Sequence, residues 1–100
     1  MTNNEMLKAI KVDLGISTTV YDERLGQYLQ SARAAITREG ITLTDSVEDG
    51  DLIVRYAAWL WRKRATGDGI PRSLRWAMNN RLFSEKAGGP AYESDSGEES

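Results

Sequence analysis

The sequence predicts an all-α protein: a small bundle of about four helices, with a short extended or loop segment between the second and third and a disordered acidic C-terminal tail. Apolar residues recur at three- and four-residue steps through four windows of the 100-residue chain. Each window is bracketed by residues that start or stop helices. Alternation with a period of two is confined to Ile41–Thr44. The expected division is a helical domain over 1–88 and a flexible tail over 89–100.

The first helix is expected to start near Asn3, because Thr2 and Glu5 stand at the spacing of a capping box. Met6, Leu7, Ile10 and Leu14 form its apolar stripe, and Gly15 is a natural left-handed terminator with Ile16 folding back over the last turn. Thr19 with Asp22 is expected to cap the second helix. That helix carries Leu25, Tyr28, Leu29, Ala32, Ala35 and Ile36 on one side and polar residues on the other. Gly26 within it costs up to ~1 kcal/mol relative to Ala, which points to a close helix crossing. Gly40 ends it.

Asp45 or Ser46, with Glu48 or Asp49 following, opens the third helix. From Leu52 to Trp61 only Arg55 is charged. A helix apolar on nearly every side is central, and three neighbours leave part of it to be covered by another subunit. Pro71 suits the first turn of a fourth helix, whose inner stripe is Leu74, Ala77, Met78 and Leu82. Gly88, Gly89 and Pro90 stop it, and the remaining GPAYESDSGEES has no period and little to bury.

Composition narrows the function. The chain has no Cys and no His, which removes thiolate chemistry, disulfides, and the commonest general base and metal ligand. No apolar run approaches the ~20 residues of a membrane helix, and MTNNEMLK lacks the core of a secretory signal. The net charge of −2 conceals segregation: residues 62–86 carry seven bases against two acids, and residues 87–100 carry four acids and no base. The acids of DSVEDGD (45–51) fail the calcium-loop pattern because Val47 stands at a ligand position; they suit the positive end of a helix instead. Thr66-Gly67-Asp68-Gly69 lacks the Gly-Lys-Ser/Thr ending of a phosphate loop. The expectation is a non-enzyme without a cofactor or metal.

Trp59, Trp61 and Trp76, with Arg62, Lys63, Arg64, Arg72, Arg75 and Arg81, crowd into Tyr56–Phe83. Trp59 and Trp61 stand about 200° apart on a helix, so they cannot share a face. One is expected in the core and the other in an intersubunit contact. The basic pair of helices also fits a DNA-binding unit, although its connection is longer than the usual three- or four-residue turn. Cations at a helix C-terminus equally complement its dipole, and arginine over tryptophan covers apolar surface.

YAAWLWRKR followed by IPRSLRWAMNNRLF, with LKAIKVDLGIST and YDERLGQYLQSARAAI before it, resembles the head–tail connector proteins of long-tailed bacteriophages, also called adaptor or head-completion proteins. The likeness covers roughly residues 6–86. It implies a virion protein at the neck, assembled in the host cytoplasm as a homo-oligomeric ring of usually twelvefold symmetry. The ring would bind the portal protein and a stopper or tail-completion protein and pass viral DNA without reading its sequence. On that reading Trp59, Trp61, Arg62, Arg64, Arg72, Arg75 and Trp76 are candidates for the oligomer or portal interface. Asp45, Glu48, Asp49 and Asp51 are candidates to line the channel, since a strongly basic lumen would hold the genome. The region from Lys86 onward, which in the family tends to reach the portal, departs from the pattern by being acidic and glycine-rich. The alternative is a small DNA-binding regulator or packaging subunit that uses helix pair 56–86.

Overall fold

The computed structural model describes residues 1–87. Four helices follow in order: α1 (Asn3–Leu14), α2 (Asp22–Arg38), α3 (Val47–Thr66) and α4 (Arg72–Lys86), with no strand among the described residues. The expected tail, 89–100, lies outside them.

Local chemistry sets most boundaries. Thr2 and Glu5 form the full capping box: the Glu5 N–H donates to Thr2 Oγ1 at 3.1 Å, and the Thr2 N–H donates to Glu5 Oε1 at 2.7 Å. Gly15, at φ 71°, ends α1 in a Schellman motif, with the Ile16 N–H reaching Lys11 O at 2.8 Å and the Gly15 N–H reaching Val12 O at 3.2 Å. Ser46 caps α3 by accepting from the Asp49 N–H at 3.1 Å.

Thr19 does not cap α2. The residue entering that helix is Tyr21, which makes no side-chain cap bond. Instead Lys11 Nζ lies 2.8 Å from Asp22 Oδ1, outside hydrogen-bonding alignment, so an ion contact between α1 and the first turn of α2 stands where the cap was expected. The joint is thus tied by charge across two helices rather than by a local hydroxyl.

α3 is the central element and packs against each of the other helices. Its Leu52, Ile53, Val54, Ala57 and Ala58 meet Met6 and Ile10 of α1, Leu25, Leu29, Ala32 and Ile36 of α2, and Leu74 and Met78 of α4 in one buried core. Ile41 is buried and Leu43 is half-buried, while Thr42 and Thr44 are exposed. The expected alternation in that segment therefore holds without a sheet, because each inward residue caps the core between α2 and α3.

The close approach anticipated at Gly26 is absent: no atom lies within 4 Å of where its Cβ would stand. It occurs at Gly50 instead, where an added Cβ would lie 2.7 Å from Met1 Cβ. Gly50 is buried inside α3, and the Met1 backbone nitrogen donates to Asp45 O at 2.6 Å, which draws the chain start across the first turn of that helix.

Candidate interaction surface

The C-terminal half of α3 is built from aromatic rings braced by cations. Trp61 meets Tyr21 and Tyr28 in T-shaped pairs, at centroid distances of 5.5 and 5.6 Å, and the Arg64 guanidinium lies 4.0 Å over its ring. Trp59 meets Tyr56 edge-on at 5.3 Å and lies under Lys63 at 4.6 Å. Its indole N–H donates to Gly69 O at 3.0 Å and Asp68 O at 3.3 Å, so Trp59 fastens the α3–α4 turn. That turn begins at Gly67, whose φ of 70° lets its N–H return to Lys63 O at 2.8 Å.

These contacts revise the expected roles of two tryptophans. Both Trp59 and Trp61 are half-buried and engaged within the chain, one on the turn and the other on α2. Their ~200° separation gives each its own intramolecular partner. The outward tryptophan is Trp76, 67% exposed on α4. Phe83, 73% exposed, stands seven residues on, so the two rings share one face of α4 with Asn79 and Asn80 between them. Exposed apolar surface thus stands on α4 at Trp76 and Phe83, while α3 keeps an exposed Val47 and leaves Tyr56, Trp59, Leu60 and Trp61 half-buried. Phe83 was missed from the candidate residues; its seven-residue spacing from Trp76 was the available signal.

The bases of 62–86 are largely engaged. Arg62 Nη2 reaches Asp13 O at 3.0 Å and Asp13 Oδ2 at 3.3 Å, and Arg75 lies 3.5 Å from Glu39. Arg81 is drawn inward: its Nε donates to Asp49 Oδ1 at 2.8 Å, its Nη1 to Glu85 Oε1 at 3.0 Å and its Nη2 to Thr42 O at 2.7 Å. Asp49 also accepts from the Thr44 N–H at 2.8 Å and the Thr44 hydroxyl at 2.9 Å. Burial pushes the Asp49 carboxyl up, but bonds from Arg81 and Thr44 outweigh that and hold it below the usual carboxylate range. The Arg81 guanidinium is raised, chiefly by Asp49, and Glu85 is lowered by Thr42 first and Arg81 second.

Asp49 is 2% exposed, so the assignment of Asp49 to a channel wall is corrected: it is an internal strut joining the 41–46 segment, α3 and α4. Asp45, Glu48 and Asp51 are exposed. Glu48 and Asp51 border a groove of about 430 Å³ together with Arg55, Trp76 and Asn80. At the other end of α3, Arg62, Lys63 and Arg64 border a second groove of about 750 Å³ with Trp59 and Pro71. Arg72 is exposed in the first turn of α4.

Among the described residues no three His, Cys, Asp or Glu side chains gather where they could hold a metal ion. No described helix is long and apolar enough to cross a membrane. Compared with known proteins, the chain matches no family model, no curated protein and no solved structure.

Proposed function

We propose that this chain is a structural head–tail connector subunit of a long-tailed bacteriophage, a non-enzymatic ring component between the portal protein and the stopper or tail-completion protein. The observation that carries the proposal is the aromatic face of α4. Trp76 and Phe83 stand exposed within the segment, Tyr56–Phe83, that bears the family resemblance. Exposed rings on a small helical domain mark a contact surface, and aromatic residues are the usual anchors of such contacts. The fold supplies rigidity: α3 is a rod of about 30 Å at 1.5 Å per residue, held by packing on all the other helices. In this reading the ring extends the DNA channel, and assembly takes place in the host cytoplasm before the subunit becomes part of the virion neck.

The DNA-binding alternative has less support. Of the seven bases in 62–86, Arg62, Arg75 and Arg81 contact acids, and Lys63 and Arg64 lie over tryptophans. A phosphate would have to compete with each of these contacts. Reconstruction of the assembled particle tests the connector proposal: the subunit is expected as a closed cyclic ring between portal and tail. Its absence from the virion, or its recovery as a two-fold dimer on DNA, would rule the proposal out.

A further inference from the structure

α4 turns one stripe to solvent along its whole length. Arg72, Trp76, Asn79, Phe83 and Lys86 follow at steps of four, three, four and three residues, which keeps them on one side of the helix. All five are exposed. Among the described residues none of them makes an ion pair or an aromatic contact with the rest of the chain. The other sides of the helix are occupied: Leu74 and Met78 lie in the core, Arg75 reaches Glu39 and Arg81 reaches Asp49. The stripe is cationic at both ends and apolar between them, and the fold makes no use of it.

The sequence after α4 carries the complementary pattern. Thirteen residues follow Ala87, with Glu93, Asp95, Glu98 and Glu99, no base, and Tyr92 as their single aromatic. Gly88 and Gly89 stand where the chain has to reverse to meet its own helix, and glycine accepts the backbone angles of a tight reversal. α4 is about 22 Å long at 1.5 Å per residue. The eleven residues beyond the two glycines span up to about 36 Å at 3.3 Å each. Laid back along the helix from Pro90 at these rises, Tyr92 comes level with Phe83, and Gly97 and Glu98 come level with Arg72.

We propose that the acidic segment 88–100 folds back onto the outward stripe of α4 in the same chain, with Tyr92 on the rings and its carboxylates on Arg72 and Lys86. Glu48 and Asp51 border Trp76 on its Asn80 side, so the segment's acids are repelled there and favoured on the Arg72 side. The tether gives the segment an effective concentration on the order of mM, so contacts too weak to hold a separate peptide suffice. Trp76 and Phe83 are then covered in the free chain, and a partner reaches them by displacing the segment, which lowers its apparent affinity. That regulation rests on the connector reading for the identity of the partner. The fold-back lies within one chain, and its failure leaves the connector reading standing.

The chain has no cysteine, so Ser96→Cys in the full-length protein gives a single site for a spin label. At the rises above, position 96 comes level with the turn between Arg72 and Trp76. Paramagnetic broadening of isotope-labelled amides in dilute solution is expected to be strongest at residues 72–76 and at the Trp76 indole N–H. It should be weaker at 83–87, although those residues are nearer in sequence. Three further changes in the labelled protein, each checked for folding by thermal melts, should move the maximum back toward Ala87: Glu93→Gln/Asp95→Asn/Glu98→Gln/Glu99→Gln, Arg72→Gln/Lys86→Gln, and Tyr92→Ala. Ionic strength of about 1 M, which screens charges beyond about 3 Å, should act in the same direction. Broadening strongest near Ala87 in the parent protein, or a pattern that none of the three changes alters, would overturn the proposal. So would the 72–76 pattern appearing only between chains, in a mixture of spin-labelled chains with isotope-labelled chains that carry no spin label, because the segment would then dock on a second copy.

Discussion

Replacing Asp49 by Ala removes the acceptor at the centre of the α3–α4 strut. Its carboxylate takes bonds of 2.8 and 3.2 Å from Arg81 and 2.8 and 2.9 Å from Thr44. Side-chain exposure is 3% for Asp49 and 12% for Arg81, so water does little to replace what is lost. Arg81 keeps Thr42 O and Glu85, which moderates the effect. Breaking a buried pair on one side costs about 3–5 kcal/mol, and the retained partners place this case near the lower figure. A loss of about 3 kcal/mol is a large part of the 5–15 kcal/mol typical of a domain this size and lowers its melting temperature by roughly 12–24 °C. Urea unfolding followed by circular dichroism measures it. The double variant Asp49→Ala/Arg81→Met should lose less than the two single losses combined, with a coupling of about 0.5–3 kcal/mol. A single-variant loss under about 1 kcal/mol would refute the burial argument and return Asp49 to the exposed acids.

The same strut sets a pH dependence. The Asp49 carboxyl is depressed in the folded chain, so its contribution is fully present above its unfolded value, near about 3.9. It is lost as the pH falls through the lower folded value. Wild-type stability should therefore decline on acidification below about pH 4 more steeply than that of Asp49→Asn, which has no proton to take up there. Parallel curves for the two proteins would show that Asp49 is not the group responsible.

Three further substitutions probe the packing. Gly26→Ala should raise stability by up to about 1 kcal/mol, since the helix gains propensity and no atom stands within 4 Å; a loss in chemical denaturation would show an unseen contact. Gly50→Ala should act in the opposite direction, because Met1 must move from 2.7 Å to admit the methyl group, at a cost of about 1–3 kcal/mol before the propensity gain; equal stabilisation of both variants would contradict the distinction. Trp59→Phe keeps the ring but loses the N–H bonds to Asp68 O and Gly69 O; faster amide hydrogen exchange in the 67–71 turn and a loss of about 1 kcal/mol are expected, and unchanged exchange would count against a fastening role.

Helix number, the α1 caps and the core stripes were legible because each rests on neighbours within one turn. Thr2, Glu5, Gly15 and Ile16 act on one another locally, and the 3.6-residue period of Leu25, Leu29, Ala32 and Ile36 needs no knowledge of the partner helix. What failed depends on residues far apart in sequence. Asp49 and Arg81 are 32 positions apart, and nothing local separates the buried acid of DSVEDGD from its exposed neighbours. The two glycines show the same limit: their local settings are both helical, but Met1 crosses only Gly50. For the tryptophans, periodicity separated Trp59 from Trp61 but could not show that α2 and the turn would each take one, leaving Trp76 outward.

The distribution of cation partners leads to a quantitative expectation for DNA. Among the described residues of 62–86, only Arg72 and Lys86 lack an acid or aromatic partner. With binding falling as about 0.9 log units per log unit of salt for each phosphate neutralised, two available cations give a slope of roughly −2. Using Arg62 or Arg75 as well would break contacts to Asp13 or Glu39, which takes from the fold what it gives to the complex. The chain's net charge of −2 also offers no long-range attraction to a polyanion. Free wild-type protein should therefore bind a short duplex weakly, without sequence preference, and with that shallow slope. Neutralising Arg62, Lys63, Arg72 and Arg75 should weaken that already weak binding and bring the slope to roughly −1, because of the two available cations only Lys86 remains, while impairing incorporation into portal-bearing heads. Fluorescence anisotropy across a salt series reads the first quantity and particle composition the second. A slope steeper than about −4, with preference for one duplex sequence, would mean that the internal contacts open to release the bases, and the DNA-binding reading would displace the connector.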